Sequence, residues 1–272
     1  MEQYGADIIR LWALSVDFTE DHRIGDEILK GVSDQYRKLR NTFRYMLGAL
    51  EGFSEEERIK GLSCSGAERT VPDGAQEGTV PMRGQSLDQL PELERYVLHL
   101  LADMDAKLKQ ALADFDFNTY VRLISDFANE DLSAFFFDIR KDCLYCDAPD
   151  DPKRRAYRTV LDILFHALVR YAAPVLVFTA EEVWSTRFPD AESVHFSDWP
   201  EVEASWIDAG LAEKWAGIRA SRTIATEQIE PLRREKIVGS SLEVEPDERV
   251  NIASVQKYWN YVQEILKNIP KK

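Results

Sequence analysis

Apolar side chains recur at steps of three and four residues along much of the chain, which places them on one face of an α-helix. Residues 26–51 show this pattern most clearly, and we expect a long amphipathic helix there. Asp26 and Glu27 lie in its first turn, where the helix dipole favours negative charge. The positions expected to be buried are Ile28, Val32, Tyr36, Leu39, Phe43, Met46 and Leu50.

The same spacing predicts further helices at 93–112, 118–139, 152–175 and 211–228. Phe135, Phe136 and Phe137 widen the apolar face of the 118–139 helix, so we expect that helix at the centre. Long helices joined by modest connections predict an all-α fold, an antiparallel helical bundle.

Three local signals fix expected helix ends. Asp151-Pro152 is typical of an N-cap followed by a first-turn proline, and Pro174 stops or kinks the helix that follows. Thr179-Ala180-Glu181-Glu182 has the spacing of a capping box and predicts a short helix through Trp184.

Three stretches depart from the helical pattern. Residues 52–90 are rich in Gly, Ser, Pro, Glu and Gln, and they predict a long, mobile surface loop. Leu242 to Glu245 alternate in polarity and indicate a minor β-strand near the C-terminus. Residues 251–272 again have helical spacing but a different composition, so the origin of this tail stays open.

Composition restricts the class of protein. A hydrophobic content of 44% marks a globular chain, and no apolar run reaches the roughly 18 residues of a membrane span. Three cysteines argue against a disulfide framework and favour the cytoplasm. The formal net charge of −14 opposes nucleic-acid binding, unless the cations cluster on one face.

The cations do cluster. On the 26–51 helix one flank carries polar residues that follow buried positions, where an external partner can reach them: Arg37, Lys38, Arg40, Asn41 and Arg44. Arginine contacts phosphates and base edges, and Asn41 can read a base through its paired donor and acceptor. A second set of candidates for RNA binding is Arg154, Arg155 and Arg158.

Several segments together resemble class I aminoacyl-tRNA synthetases, and bacterial isoleucyl-tRNA synthetases in particular. They follow the order of that family along residues 4–245. The segments are Tyr4-Gly5-Ala6-Asp7 with Arg10-Leu11-Trp12, Ser33 to Arg44, Asp131 to Asp138 with Lys141 to Tyr145, Ala173 to Leu176, Phe178 to Trp184, and Arg234 to Glu243.

The resemblance implies a bundle that holds the anticodon stem and loop of isoleucine tRNA. It divides the chain into a connecting segment at 1–25, the bundle at 26–210, a junction at 211–250 and the tail. We expect a monomer that binds tRNA, without DNA or a membrane as partner.

The family's catalytic signatures are missing from this chain. The four histidines of the chain do not form the family's His-x-Gly-His motif. Neither the Lys-Met-Ser-Lys-Ser loop nor a Gly-rich phosphate loop is present. We therefore expect no catalysis and no cofactor here. In the resemblance, ATP and magnesium belong to a catalytic domain outside this chain, and the family's zinc knuckle is not found in it.

Four alternatives stay open on the sequence alone. The valine and leucine enzymes share this architecture, and an acidic helical bundle without RNA binding would serve as a protein-interaction scaffold. Cys143 and Cys146 suggest a metal or redox site, although four zinc ligands are not available and packed thiols are the favoured interpretation. Finally, Trp184, Trp199, Trp206 and Trp215 could stack on RNA bases, but core packing is favoured.

Overall fold

A computed structural model describes residues 4–19, 21, 24–60, 62 and 87–236 of the chain. The chain divides into two compact units, residues 1–207 and residues 208–272. The α-helices are α1 (Ala6–Leu14), α2 (Asp26–Ala49), α3 (Glu92–Ala113), α4 (Phe117–Asp126), α5 (Phe137–Cys146), α6 (Pro152–Ala172), α7 (Val177–Arg187) and α8 (Ala209–Arg234). Short 3₁₀ helices lie at Leu87–Gln89, Val194–Phe196 and Ala204–Trp206, and a π-helix spans Phe127–Phe136.

The all-α prediction is confirmed for the residues that the structure describes, which contain helices and no β-sheet. The predicted minor strand at 242–245 and the predicted helical tail at 251–272 lie outside the described residues. None of the described helices is long and apolar enough to cross a membrane.

The centre of the first unit is α6, so the expectation that the 118–139 helix lies there is wrong. Every residue from Ala156 to Ala172 is buried. A helix that is buried on all sides must be surrounded by other elements, and α6 packs against α2, α3, α4, α5 and α7. Its ends are as predicted: the Asp151 carboxylate accepts hydrogen bonds from the Lys153 and Arg154 N–H groups, and the helix stops before Pro174.

The predicted single helix at 118–139 is instead three consecutive segments, α4, the π-helix and α5. The side chains of Ser133 and Thr42 donate hydrogen bonds to the Ala128 carbonyl, at 2.8 Å and 3.3 Å. Both bonds lie where the backbone ladder widens to the five-residue repeat of a π-helix. All three phenylalanines at 135–137 are buried, as predicted.

The 26–51 helix is confirmed as α2, and its buried positions are confirmed at Val32, Leu39, Phe43, Met46 and Leu50. Tyr36 is only half-buried. Ile28 is an exception because 42% of it is exposed. It lies in the first turn of α2, whereas the hydrogen bonds from α2 to the π-helix and to α6 come from Thr42 and Tyr45, nearer the other end of the helix.

The predicted capping box at Thr179 is wrong, because Thr179 lies inside α7 and Leu176 occupies the N-cap position. The cap comes from another helix. The Asp7 carboxylate of α1 accepts hydrogen bonds from the N–H groups of Phe178 (3.3 Å) and Thr179 (2.8 Å). A carboxylate at a helix N-terminus satisfies donors that have no partner within the helix and complements its dipole.

Part of the predicted mobile loop at 52–90 is held against α6. The Ile59 N–H donates to Thr159 Oγ1 at 3.1 Å, and Leu62 is 2% exposed. Residues 53–60 thus have contacts with α6, but the mobility of the loop stays a prediction. Residues 63–86 lie outside the described residues. Helix α8, in the second unit, extends past the predicted end at 228 to Arg234, with Pro231 inside it.

Candidate nucleic-acid interface

The outward face of α2 carries the predicted polar residues. Arg37, Lys38, Arg40, Asn41 and Arg44 are all exposed. With about 100° per residue, Arg37, Asn41 and Arg44 lie almost directly opposite the buried stripe rather than at its edge. The structure thus brings these three side chains together on one line along the helix.

Lys30 extends this line, and the sequence reasoning missed it. It is exposed and lies seven residues before Arg37, as Arg37 lies seven residues before Arg44. Seven residues are about two helical turns, so the three cations share one face. The seven-residue step was a signal already present in the sequence. We call Lys30, Arg37, Lys38, Arg40, Asn41 and Arg44 the α2 polar face.

Two members of the α2 polar face lean to opposite sides. Arg40 lies toward α7, where its Nη2 donates to the Glu182 carboxylate at 2.7 Å. Lys38 lies on the other side of the helix, about 160° from Arg40. The α2 polar face therefore presents a broad surface and not a single row of charges.

The electrostatic restraint on the α2 polar face is weak. Arg37 Nη2 lies 3.0 Å from Asp34 Oδ1, but the two side chains are 71% and 56% exposed. An ion pair this exposed contributes about 0–1 kcal/mol, so a phosphate can replace the carboxylate. Among the residues that the structure describes, the side chains of Lys38, Asn41 and Arg44 have no hydrogen bond or ion pair.

Arg40 is held more firmly than the other cations. Its Nη1 donates to the Tyr36 hydroxyl at 3.1 Å while Nη2 binds Glu182. These two hydrogen bonds raise the pKa of Arg40 above its ordinary value. The two contacts give the guanidinium a defined orientation.

The second predicted group, Arg154, Arg155 and Arg158, occupies a different environment. Arg158 is 4% exposed, and its three guanidinium nitrogens bind the Ala49 carbonyl (3.0 Å), the Glu51 carbonyl (2.6 Å) and the Glu57 carboxylate (2.5 Å). This placement contradicts the prediction that Arg158 is available to RNA. Its guanidinium instead ties the end of α2 and the segment after it to α6.

Arg155 and Arg154 have related structural contacts. Arg155 donates to the carbonyls of Glu56 (2.9 Å) and Glu57 (3.0 Å). Arg154 donates to the Leu144 carbonyl at 3.2 Å and lies 3.8 Å from the Glu57 carboxylate. Because both guanidinium groups are committed to these partners, we do not include them in the interface.

Three of the four tryptophans singled out above are buried, as the favoured interpretation predicted, and Trp199 is half-buried. Trp184, Trp206 and Trp215 are 7%, 3% and 3% exposed. Trp184 donates from Nε1 to the Glu192 carbonyl at 2.9 Å, and Trp199 donates to the Asp105 carboxylate at 2.8 Å. Their ring nitrogens thus stabilise the turns that follow α7.

The cysteines do not form a metal site in the described part of the chain. Cys143 is buried and Cys146 is exposed, and both thiols are free. Burial, and next the hydrogen bond that the thiol donates to the Asp147 carboxylate, raise the pKa of Cys143 to about 12, which makes it a poor nucleophile or ligand. Within residues 4–60 and 87–236, where described, no group of three or more His, Cys, Asp and Glu side chains could hold a metal ion.

Comparison with known families identifies the domain. The family model described as the anticodon-binding domain of tRNA ligase matches residues 94–250, which is more than half of the chain. The chain belongs to this family. The match begins in α3 and includes the buried helix α6, so the anticodon-binding domain accounts for the core on which α2 packs.

Curated relatives extend the likeness of this anticodon-binding domain to nearly the whole chain. The isoleucine–tRNA ligase of Zymomonas mobilis is 58% identical over 261 residues, which are 94% of this chain and 25% of that protein. Those of Ruegeria pomeroyi and Agrobacterium fabrum are 46% and 45% identical, over 90% of this chain and 23% of each protein. The chain thus spans about a quarter of the length of these relatives, and the covered part includes most of its helices.

Proposed function

We propose that this anticodon-binding domain binds the anticodon stem and loop of isoleucine tRNA through the α2 polar face. The observation that carries the proposal is the line of Lys30, Arg37 and Arg44 on an exposed helix of an otherwise acidic chain. Favourable contacts with phosphates need such a local concentration of cations. The names of the relatives supply the choice of isoleucine.

The polar groups have distinct roles in this proposal. Arg37, Arg44, Lys38 and Lys30 bind phosphates and orient the RNA backbone, which carries no sequence information by itself. Asn41 lies between Arg37 and Arg44, where its amide can donate to and accept from one base edge. Recognition of a base is therefore assigned to Asn41, and most of the affinity to the cations.

We propose further that the domain contributes binding and no chemistry. Aminoacylation would belong to an intact isoleucine–tRNA ligase, of whose length this chain spans about a quarter. We expect this part to act as a cytoplasmic monomer, without ATP, magnesium or zinc of its own.

The first experiment titrates labelled isoleucine tRNA and a non-cognate tRNA with the chain at low and moderate salt. We expect tighter binding of isoleucine tRNA and a linear decrease of log affinity with log salt concentration. No measurable binding at low salt would exclude the proposal and favour a protein-interaction scaffold.

A variant pair then tests which face binds. Arg37→Ala with Arg44→Ala should weaken binding about tenfold or more and reduce the salt slope by about one to two, because two phosphate contacts are lost. Arg122→Ala is the matched control, an arginine on α4 that is 61% exposed. If the loss of tRNA affinity for each arginine removed is the same in the double variant and in the control, only the total charge matters and the α2 polar face is not the binding face.

A further inference from the structure

A continuous chain of hydrogen bonds runs from a buried carboxylate to the α2 polar face. Asp7 Oδ2 accepts a hydrogen bond from Thr179 Oγ1 at 2.6 Å, and Thr179 Oγ1 lies 2.9 Å from the Tyr36 hydroxyl. Arg40 Nη1 then donates to the Tyr36 hydroxyl at 3.1 Å. Three helices, α1, α7 and α2, contribute one or two members each.

The chemistry of the four groups fixes the direction of every bond in this chain. An ionised carboxylate only accepts hydrogen bonds, so the single hydroxyl proton of Thr179 points to Asp7. Thr179 Oγ1 must then accept the proton of the Tyr36 hydroxyl. The Tyr36 oxygen in turn has lone pairs directed at Arg40, which has donors only.

The buried end of the chain is rigid. Asp7 and Thr179 are 5% and 2% exposed. Asp7 is fixed by the two α7 N–H groups that it caps. Hydrogen bonds in series that share one polarity strengthen one another, so the orientation at Asp7 is transmitted to the tyrosine hydroxyl.

The exposed end of the chain is adaptable. Glu182, which holds the other Nη atom of Arg40, is 57% exposed. A phosphate can therefore take the place of Glu182 while the bond from Nη1 to Tyr36 is kept. This leaves Arg40 bound on its inner side and open on its outer side.

We propose that Asp7, Thr179 and Tyr36 are positioning residues that orient the Arg40 guanidinium for a phosphate of the bound RNA, a role that rests on the proposed function. A free arginine side chain loses much rotamer freedom when it binds, whereas one that is already oriented loses less. The opening helix α1 thus contributes to RNA affinity through two hydroxyl groups and without any contact with RNA.

The test in the presence of RNA is a double-mutant cycle on the chain with isoleucine tRNA. Tyr36→Phe removes only the hydroxyl and should weaken binding about three- to tenfold, the usual effect of one lost hydrogen bond. In the Arg40→Ala background the same substitution should have no further effect, because the group that it positions is gone.

The matched control is Tyr45→Phe on the same helix. The Tyr45 hydroxyl also has a hydroxyl partner at 2.9 Å, but that partner is Tyr157 and not a member of this chain of bonds. We expect Tyr45→Phe to change affinity less than twofold. Equal losses for the two variants, or a loss from Tyr36→Phe that persists without Arg40, would overturn the proposal.

A second arm needs no RNA. The Nε–H signal of Arg40, assigned by its absence in Arg40→Lys, is followed by NMR in Thr179→Val and Thr179→Ser. We expect Thr179→Val to shift and broaden the signal, although Thr179 does not touch Arg40, and Thr179→Ser to restore it. An unchanged signal in Thr179→Val would overturn the positioning role even if tRNA binds. Conversely, the protein could bind no tRNA and still show the expected NMR changes. That result would exclude the proposed function, and with it the role in positioning Arg40 for RNA, but the chain of hydrogen bonds would be confirmed.

Discussion

Arginine serves two opposite purposes in this molecule, at the α2 polar face and in the arginines around α6. Arg37 is 71% exposed with one weak partner, whereas Arg158 is buried with all three nitrogens bound to oxygen atoms of the protein. The two sets look alike in the sequence, as basic residues on helices. An arginine that is available to a ligand differs from a structural one in the number and burial of its partners, and not in its charge.

The buried set extends beyond Arg158. Asp162, at the centre of α6, binds the guanidinium groups of Arg58 (2.7 Å) and Arg187. Burial alone would raise the pKa of Asp162, but the neighbouring cationic groups outweigh it and the pKa lies below its ordinary value. These contacts of the half-buried Arg58 and Arg187 join the 53–60 segment, α6 and α7.

The largest expected effect is a difference in the free energy of unfolding between variants of the buried arginines and variants of the exposed ones. Arg158→Met leaves the Glu57 carboxylate and two carbonyls without their donor, and we expect the free energy of unfolding to fall by about 3–5 kcal/mol. Urea titration followed by circular dichroism measures this loss, with the exposed Arg44→Met as control. A free energy of unfolding equal to that of the wild type, together with weaker binding of isoleucine tRNA by Arg158→Met, would contradict the distinction between the two sets.

Acid should lower the free energy of unfolding through His166, which lies beside Asp162 among the buried charged groups. Burial lowers the pKa of His166 from 6.5 to about 4, with Arg187 and Arg170 acting in the same direction against Asp162. Between these values the unfolded chain binds a proton that the folded chain does not, so the free energy of unfolding falls as the pH decreases. The full loss from this residue is about 3 kcal/mol, and it is absent above the unfolded pKa.

Urea midpoints between pH 7.5 and 4.5 check this expectation. His166→Gln should flatten the decrease, while the exposed His195→Gln should follow the wild type. A wild-type midpoint that stays constant down to pH 4.5 would contradict the burial of a neutral histidine beside Asp162.

The smallest expected effect concerns the exposed set. Asp34→Asn removes the carboxylate that competes with RNA for Arg37, so we expect isoleucine tRNA to bind about twofold more tightly. Asp103→Asn on α3 removes the same charge from another exposed ion pair and serves as the control. Equal gains in both variants would assign the effect to net charge and not to Arg37.

Periodicity was sufficient to predict what repeats along the chain. It located α2, α3 and α6, and it identified the exposed side of α2, because a helix determines the direction of its own side chains. It missed Lys30 only because the seven-residue step was not followed to the first turns of the helix.

Contacts distant in sequence were beyond such reasoning. The acceptors of Arg158 are separated from it by more than 100 residues, and one of them, Glu57, lies in the 52–90 segment that was predicted to be a loop. The prediction of the α7 cap failed for the same reason. The spacing from Thr179 to Glu182 fitted a local motif, but the carboxylate that caps the helix belongs to Asp7. The hydrogen bond from Thr42 to the Ala128 carbonyl of the π-helix likewise joins residues far apart in sequence, and no local pattern shows it.

The cap that Asp7 places on α7 also has a consequence for the order of folding. Its hydrogen bonds join residues 171 and 172 positions apart, so a very long loop must close before they form. During synthesis, α1 leaves the ribosome well before α7 exists. Helix α1 is thus synthesised before α7 but reaches this partner only after α7 has formed.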